Sequence, residues 1–163
     1  MKLLWAPWRY QYIKKIDKSS CFLCKITKSR KDTQNLILFR GKTHFVVMNK
    51  FPYNNGHLMV APYRHIADFS PLTPEESTEL MHLISLCLRA LSSALKPQGF
   101  NLGWNLGICA GAGLEHHLHL HIVPRWTGDT NFLPVLSDTK VISQHLQATY
   151  KLLKPHFSLR KKS

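Results

Sequence analysis

The sequence predicts an α+β fold, a five-stranded antiparallel sheet carrying one long helix and one shorter one. Two patterns predict it. Short runs rich in β-branched and aromatic residues alternate with turn residues, and one long stretch of helical periodicity is inserted among them. Strands joined by short turns, with a single long helix between them, favour an antiparallel sheet with helices on one side.

Residues 36–40, 43–49 and 57–61 read as the first three strands, with Asn54, Asn55 and Gly56 as the turn before the third. Residues 73–96 read as the long helix. Thr73, Pro74 and Glu76 supply an N-cap, a first-turn proline and a capping-box glutamate. Leu80, Leu83, Ile84, Cys87, Leu88, Leu91, Ala94 and Leu95 then recur at helical spacing, and Pro97 and Gly99 follow as a stop signal. Residues 100–106 and 117–123 are the last two strands, with Pro124 expected to end the ladder. Residues 141–153 read as the shorter helix.

The chain has 163 residues, enough for one domain over residues 1–163 with a buried core. It carries 22 Lys and Arg against 9 Asp and Glu, a net charge of +13. Much of the excess lies in basic stretches near both ends, which read as extensions. Such a balance suits polyanionic partners such as nucleotides or nucleic acid, or solubilising tails. No apolar run approaches the ~20 residues that cross a bilayer. A membrane partner is therefore not expected, and the expected compartment is the cytoplasm, where thiols stay reduced.

Four of the ten histidines fall between residues 116 and 121. On a strand, side chains alternate between faces. His117, His119 and His121 therefore share one face, and Leu118, Leu120 and Ile122 share the other, which can pack on the long helix. His116 points away from the three. Three readings compete: chance alternation, a three-histidine metal site, and a histidine nucleophile flanked by phosphate-holding histidines. Gly107, Gly111 and Gly113 just upstream form a loop whose backbone N–H groups are placed to cradle phosphate oxygens. Separately, Cys21 and Cys24 form a Cys-x-x-Cys pair, which can chelate zinc, do redox chemistry or be buried.

The run from His117 to Val123, His-apolar-His-apolar-His-apolar-apolar, resembles the signature of the histidine triad (HIT) family. The resemblance extends over residues 20–126 and includes the strand pair 45–49 and 56–62, the long helix and the stretch 101–113. Residues 4–9, 110–113 and 124–132 further resemble the branch of bacterial diadenosine tetraphosphate phosphorylases and hydrolases. The resemblance implies that His119 is the nucleophile that forms a covalent nucleotidyl intermediate. It implies that His57 and His121 contact the phosphate, that Asn49 faces the ribose, and that Asn105 lies near the scissile bridge. In some relatives a Cys-x-x-Cys pair binds zinc with two histidines. The corresponding residues here are Cys21, Cys24, His65 and His117. The family normally pairs two sheets into a homodimer. Many members carry Gly-Gln-Ser/Thr before the triad, where this chain has Gly111-Ala112-Gly113-Leu114, so the leaving-group donor must come from elsewhere.

A nucleotide polyphosphate is thus the expected substrate, with diadenosine tetraphosphate foremost and Trp126 expected to stack on a second base. A phosphoramidate or aminoacyl-adenylate hydrolase is the alternative enzyme. A nucleic-acid-binding module without catalysis is the alternative of another class, and intact His119 disfavours it.

Overall fold

A computed structural model describes residues 21–129 and 144–157. The resemblance at residues 4–9 and 130–132, the first three residues of the expected C-terminal helix and the outermost basic stretches lie outside them. The described elements are α1 (Phe22–Lys28), α2 (Asp32–Asn35), β1 (Ile37–Arg40), β2 (His44–Met48), β3 (Leu58–Pro62), α3 (Pro74–Leu95), β4 (Gly99–Trp104), β5 (Leu120–Arg125) and α4 (Leu146–Leu153). The five strands form one sheet in the order β1-β2-β3-β5-β4, antiparallel throughout.

Alternation along each strand divides the sheet into two faces. Leu38, Val46, Met48, Leu58, Val60, Leu120 and Ile122 pack against Leu80, Leu83, Cys87 and Leu91 of α3 and against Tyr150 and Leu153 of α4. The long helix starts where its sequence signals place it. Thr73 Oγ1 accepts from the Glu76 N–H, and the Glu76 carboxylate accepts from the Thr73 N–H. It ends at Leu95, with Lys96 in the left-handed region as C-cap.

The opposite face is not bare. Ile37, Phe45, Val47, Met59 and Ala61 form a second cluster beneath Leu23 of α1. Helices on one side only was therefore wrong, because α1 covers part of the other. At seven residues, α1 is too short to show a periodicity, and its packing rather than its propensity keeps it helical.

The histidine strand also differs from its sequence reading. Regular pairing begins at Leu120 and runs through Pro124 to Arg125. Pro124 does not end the ladder. The Asn54 side chain donates to its carbonyl, so the N side of Pro124 faces beyond β3's last partner, Ile122, where no ladder bond is lost. Just before Leu120, the one backbone–backbone bond among the described residues is Leu118 N–H to Ile66 O at 2.6 Å.

Candidate functional site

The three histidines keep the alternation expected of them and lie on the face away from α3. They are buried, not lining an open surface: His117, His119 and His121 are 1%, 7% and 8% exposed. His57 joins them from the start of β3. Its placement needs Gly56, which sits at φ +74 with the Leu95 side chain so close that a Cβ would lie 2.5 Å from it.

Hydrogen-bond partners set the ring tautomers. The Tyr53 N–H donates to His57 Nδ1 at 3.0 Å, so neutral His57 carries its proton on Nε2. That nitrogen lies 2.9 Å from His121 Nδ1, which must accept, leaving the His121 proton on Nε2. Buried His121 Nε2 has no hydrogen-bond partner among the described residues. His119 Nδ1 donates to the His117 carbonyl at 2.7 Å, which leaves the lone pair on His119 Nε2. The His119 and His121 rings meet edge-on with centroids 4.8 Å apart. Loss of water pushes His121 down to about 4 and also lowers His119, so both are neutral near pH 7.

A second cluster adjoins the first. Ligand atoms of Cys21, Cys24, His65 and His117 all lie within 4.8 Å of one another. His117 Nε2 donates to the Pro62 carbonyl at 2.9 Å, turning Nδ1 toward Cys21 Sγ at 3.1 Å and Cys24 Sγ at 3.5 Å. Cys24 Sγ lies 3.3 Å from His65 Nδ1. A tetrahedral zinc with Zn–S about 2.3 Å and Zn–N about 2.0–2.1 Å sets its ligand atoms roughly 3.3–3.8 Å apart. Two sulfurs and two imidazole nitrogens with lone pairs turned inward fit such an ion. Without a cation, burial and the neighbouring Cys21 push the Cys24 thiol above its ordinary value, a cost that a metal removes.

The other sequence-derived residues fare unevenly. Asn49 follows β2, and its side-chain oxygen accepts from the Phe51 N–H. Asn105 donates to the Gly111 carbonyl at 3.5 Å, bracing the glycine loop. Within that loop the Gly111 and Ala112 N–H groups point to Ile108 O and Gly107 O. The expected cradle at Gly111 is therefore turned inward, because a tight 3-10 turn, Ile108–Ala110, uses those donors itself. The Gly113 N–H has no partner among the described residues. Trp126 is not brought to the triad. It follows the far end of β5, five residues from His121, or roughly 16 Å at strand rise.

Several supporting residues escaped the sequence reading. Tyr53 packs on His57 and His121 with tilted rings, centroids at 4.7 and 5.5 Å. Arg64 donates to both oxygens of the buried Glu76 carboxylate at 2.8 and 3.1 Å, tying the segment before His65 to the start of α3. Glu76 announces its capping role in sequence, but nothing there shows that Arg64 is its second partner.

Comparisons with known proteins identify the family and the fold. The HIT domain model matches residues 30–128. A Mycobacterium tuberculosis protein named AP-4-A phosphorylase is 41% identical over 161 residues, covering 94% of this chain and 83% of its own. Among solved structures, a Zn-bound histidine triad family protein from Mycobacterium smegmatis aligns with TM-score 0.67 at 24% identity, covering 85% of this chain and 94% of that one. A hypothetical histidine triad nucleotide-binding protein from Sulfolobus tokodaii aligns with the same TM-score at 23% identity, over 84% of this chain and 91% of that one. With the triad strand, the preceding glycine loop and the five-stranded sheet all inside the matched region, this chain belongs to the histidine triad family.

Proposed function

We propose that this protein cleaves dinucleoside polyphosphates, diadenosine tetraphosphate among them, by double displacement through His119. One observation carries the reading: the His119 Nδ1 proton is held on the His117 carbonyl, so the Nε2 lone pair is available in a neutral ring. Nε2 forms a bond to the α-phosphorus. The bond from phosphorus to the bridging oxygen breaks, and its electron pair leaves with a nucleoside triphosphate. The Nδ1–H stays on the His117 carbonyl, which steadies the positive charge gained by the ring. Phosphate or water then attacks the phosphorus, the N–P bond breaks, and the nucleotide departs.

His121 Nε2–H, directed by the relay from Tyr53 through His57, offers a buried donor to the charge that develops on phosphorus. The Gly113 N–H is a second donor, and Asn49 and Asn105 flank the nucleotide. Phosphate is the favoured acceptor, because the mycobacterial relative bears the name of a phosphorylase. The test is product analysis with a panel of dinucleoside polyphosphates, with and without phosphate. ADP plus ATP from diadenosine tetraphosphate is expected in phosphate, and AMP plus ATP in its absence. A panel in which adenosine phosphoramidate is the better substrate by kcat/KM would replace this reading with a phosphoramidase.

Zinc held by Cys21, Cys24, His65 and His117 completes the proposal, supported by the donor set and by the zinc-bound Mycobacterium smegmatis relative. Bound there, it supplies a structural crosslink, not a reacting centre. His117 would then be anchored on both ring nitrogens, by the ligand contact and by Pro62. Its carbonyl would present a fixed acceptor to His119. The active form is proposed to be a homodimer joined along β4, an edge strand whose middle residues are exposed.

A further inference from the structure

The triad face changes character across the sheet. One row of paired residues runs Ile37, Val47, Met59, His121, Gly103. The first three are apolar and buried beneath α1. The last has no side chain, and a Cβ built on Gly103 would meet nothing within 4 Å. His121 therefore stands at the boundary between a closed apolar floor and an open one.

His121 also holds a free donor at that boundary. Its Nδ1 faces His57, on the β3 side. Nε2, on the other side of the ring, is buried with no partner among the described residues. Farther along the same face of β4, Asn101 accepts from Arg125, and Arg125 is clamped on Asp129 at 2.7 and 3.0 Å. Gly103 has no side chain to take part in such contacts, and its position leaves room for one.

We infer that Gly103 is a specificity-determining position, the floor over which the polyphosphate leaving group passes beside His121. The inference rests on the proposed dinucleoside polyphosphate cleavage. A nucleoside triphosphate leaving group is long and anionic, so it needs both width and a donor where it parts from phosphorus. Ammonia leaving from a phosphoramidate takes up a proton as the P–N bond breaks, but it is a single small group and needs no such width. A side chain at position 103 would narrow the floor for the first and leave the second room. The Gly103 backbone lies in a regular paired strand outside the left-handed region, so a β-branched residue is compatible with the fold there.

The experiment compares Gly103→Val and Gly103→Ala with the unaltered protein on diadenosine tetraphosphate and on adenosine phosphoramidate. Both substrates present the same adenylyl group to His119. The kcat/KM ratio of dinucleotide to phosphoramidate should fall at least about tenfold in Gly103→Val and by a smaller factor in Gly103→Ala. Leu102→Ser is the control, since Leu102 lies on the same exposed edge but on the opposite face, paired with Ile122. Sedimentation of each variant records its oligomeric state. An unchanged ratio in a folded Gly103→Val, or in Gly103→Ala where the valine variant does not fold, overturns the inference. An equal change of ratio in Leu102→Ser overturns it too, by assigning the effect to the strand edge. Failure of the unaltered protein to cleave diadenosine tetraphosphate would instead overturn the function on which the inference rests.

Discussion

His119→Ala should lower turnover of diadenosine tetraphosphate by at least about 10³-fold, because the attacking lone pair is gone. Nucleotide affinity should change little, as measured by calorimetry, because the other polar groups remain. His121 predicts a pH dependence of stability. Its folded-state value of about 4 lies below the ordinary histidine value of 6.5. Between those two pH values the unfolded chain binds a proton that the folded chain refuses. Stability should therefore fall as pH drops from 6.5 toward 4, by up to about 1.4 kcal/mol per pH unit from this one ring. His121→Asn should flatten that slope in calorimetric melts, and an unchanged slope would count against the assignment. The histidines themselves were legible in the sequence, because strand alternation puts alternate residues on one face. Their tautomers were not. Those depend on the Tyr53 N–H and the His117 and Pro62 carbonyls, two of them brought to the rings only by turns and neighbouring strands.

Among the elements, legibility followed length and signal strength. The long helix was read nearly to the residue, since cap, proline, carboxylate and apolar stripe agree. The short α1 and α2 escaped, having too few residues for periodicity. The strand pairs were found, but β5 starts three residues later than read, because the bond from Leu118 to Ile66 replaces regular pairing there. Glu76→Ala removes both an N-cap partner and the Arg64 clamp, and should destabilise the protein by about 1–2 kcal/mol in urea unfolding. The Thr73 N–H holds the Glu76 carboxyl below its usual range. Its contribution should thus be fully present above about pH 4.5 and be lost as pH falls through that lowered value. Cys24→Ser should release about one zinc per chain by metal analysis and lower Tm by on the order of 10 °C. Purified protein holding no zinc would refute the site.

For the whole molecule, α1 is joined to the sheet by the Leu23 cluster and by the four-residue ligand set. Chelation should therefore raise amide exchange in α1 and in the segment before β5 ahead of α3. Substituting Asp for Leu102, 44% exposed on the β4 edge, should shift the protein toward monomer in sedimentation velocity if two copies join there. The dimer was expected from family resemblance alone, because strand order, and hence which edges are free, is a property of the sheet and not of any one segment. The opposite edge has its own consequence. Tyr150 Oη and Lys154 Nζ donate to the Ile37 carbonyl, and Lys154 also reaches the Leu38 carbonyl at 2.8 Å. Those outward acceptors of β1 are already taken, so an incoming strand finds little to bond. A sheet that can be extended at one end only stops growing once that end is matched with its own copy. If two copies join along β4, the C-terminal helix would act as a chain terminator for assembly, favouring a closed pair over an open fibre.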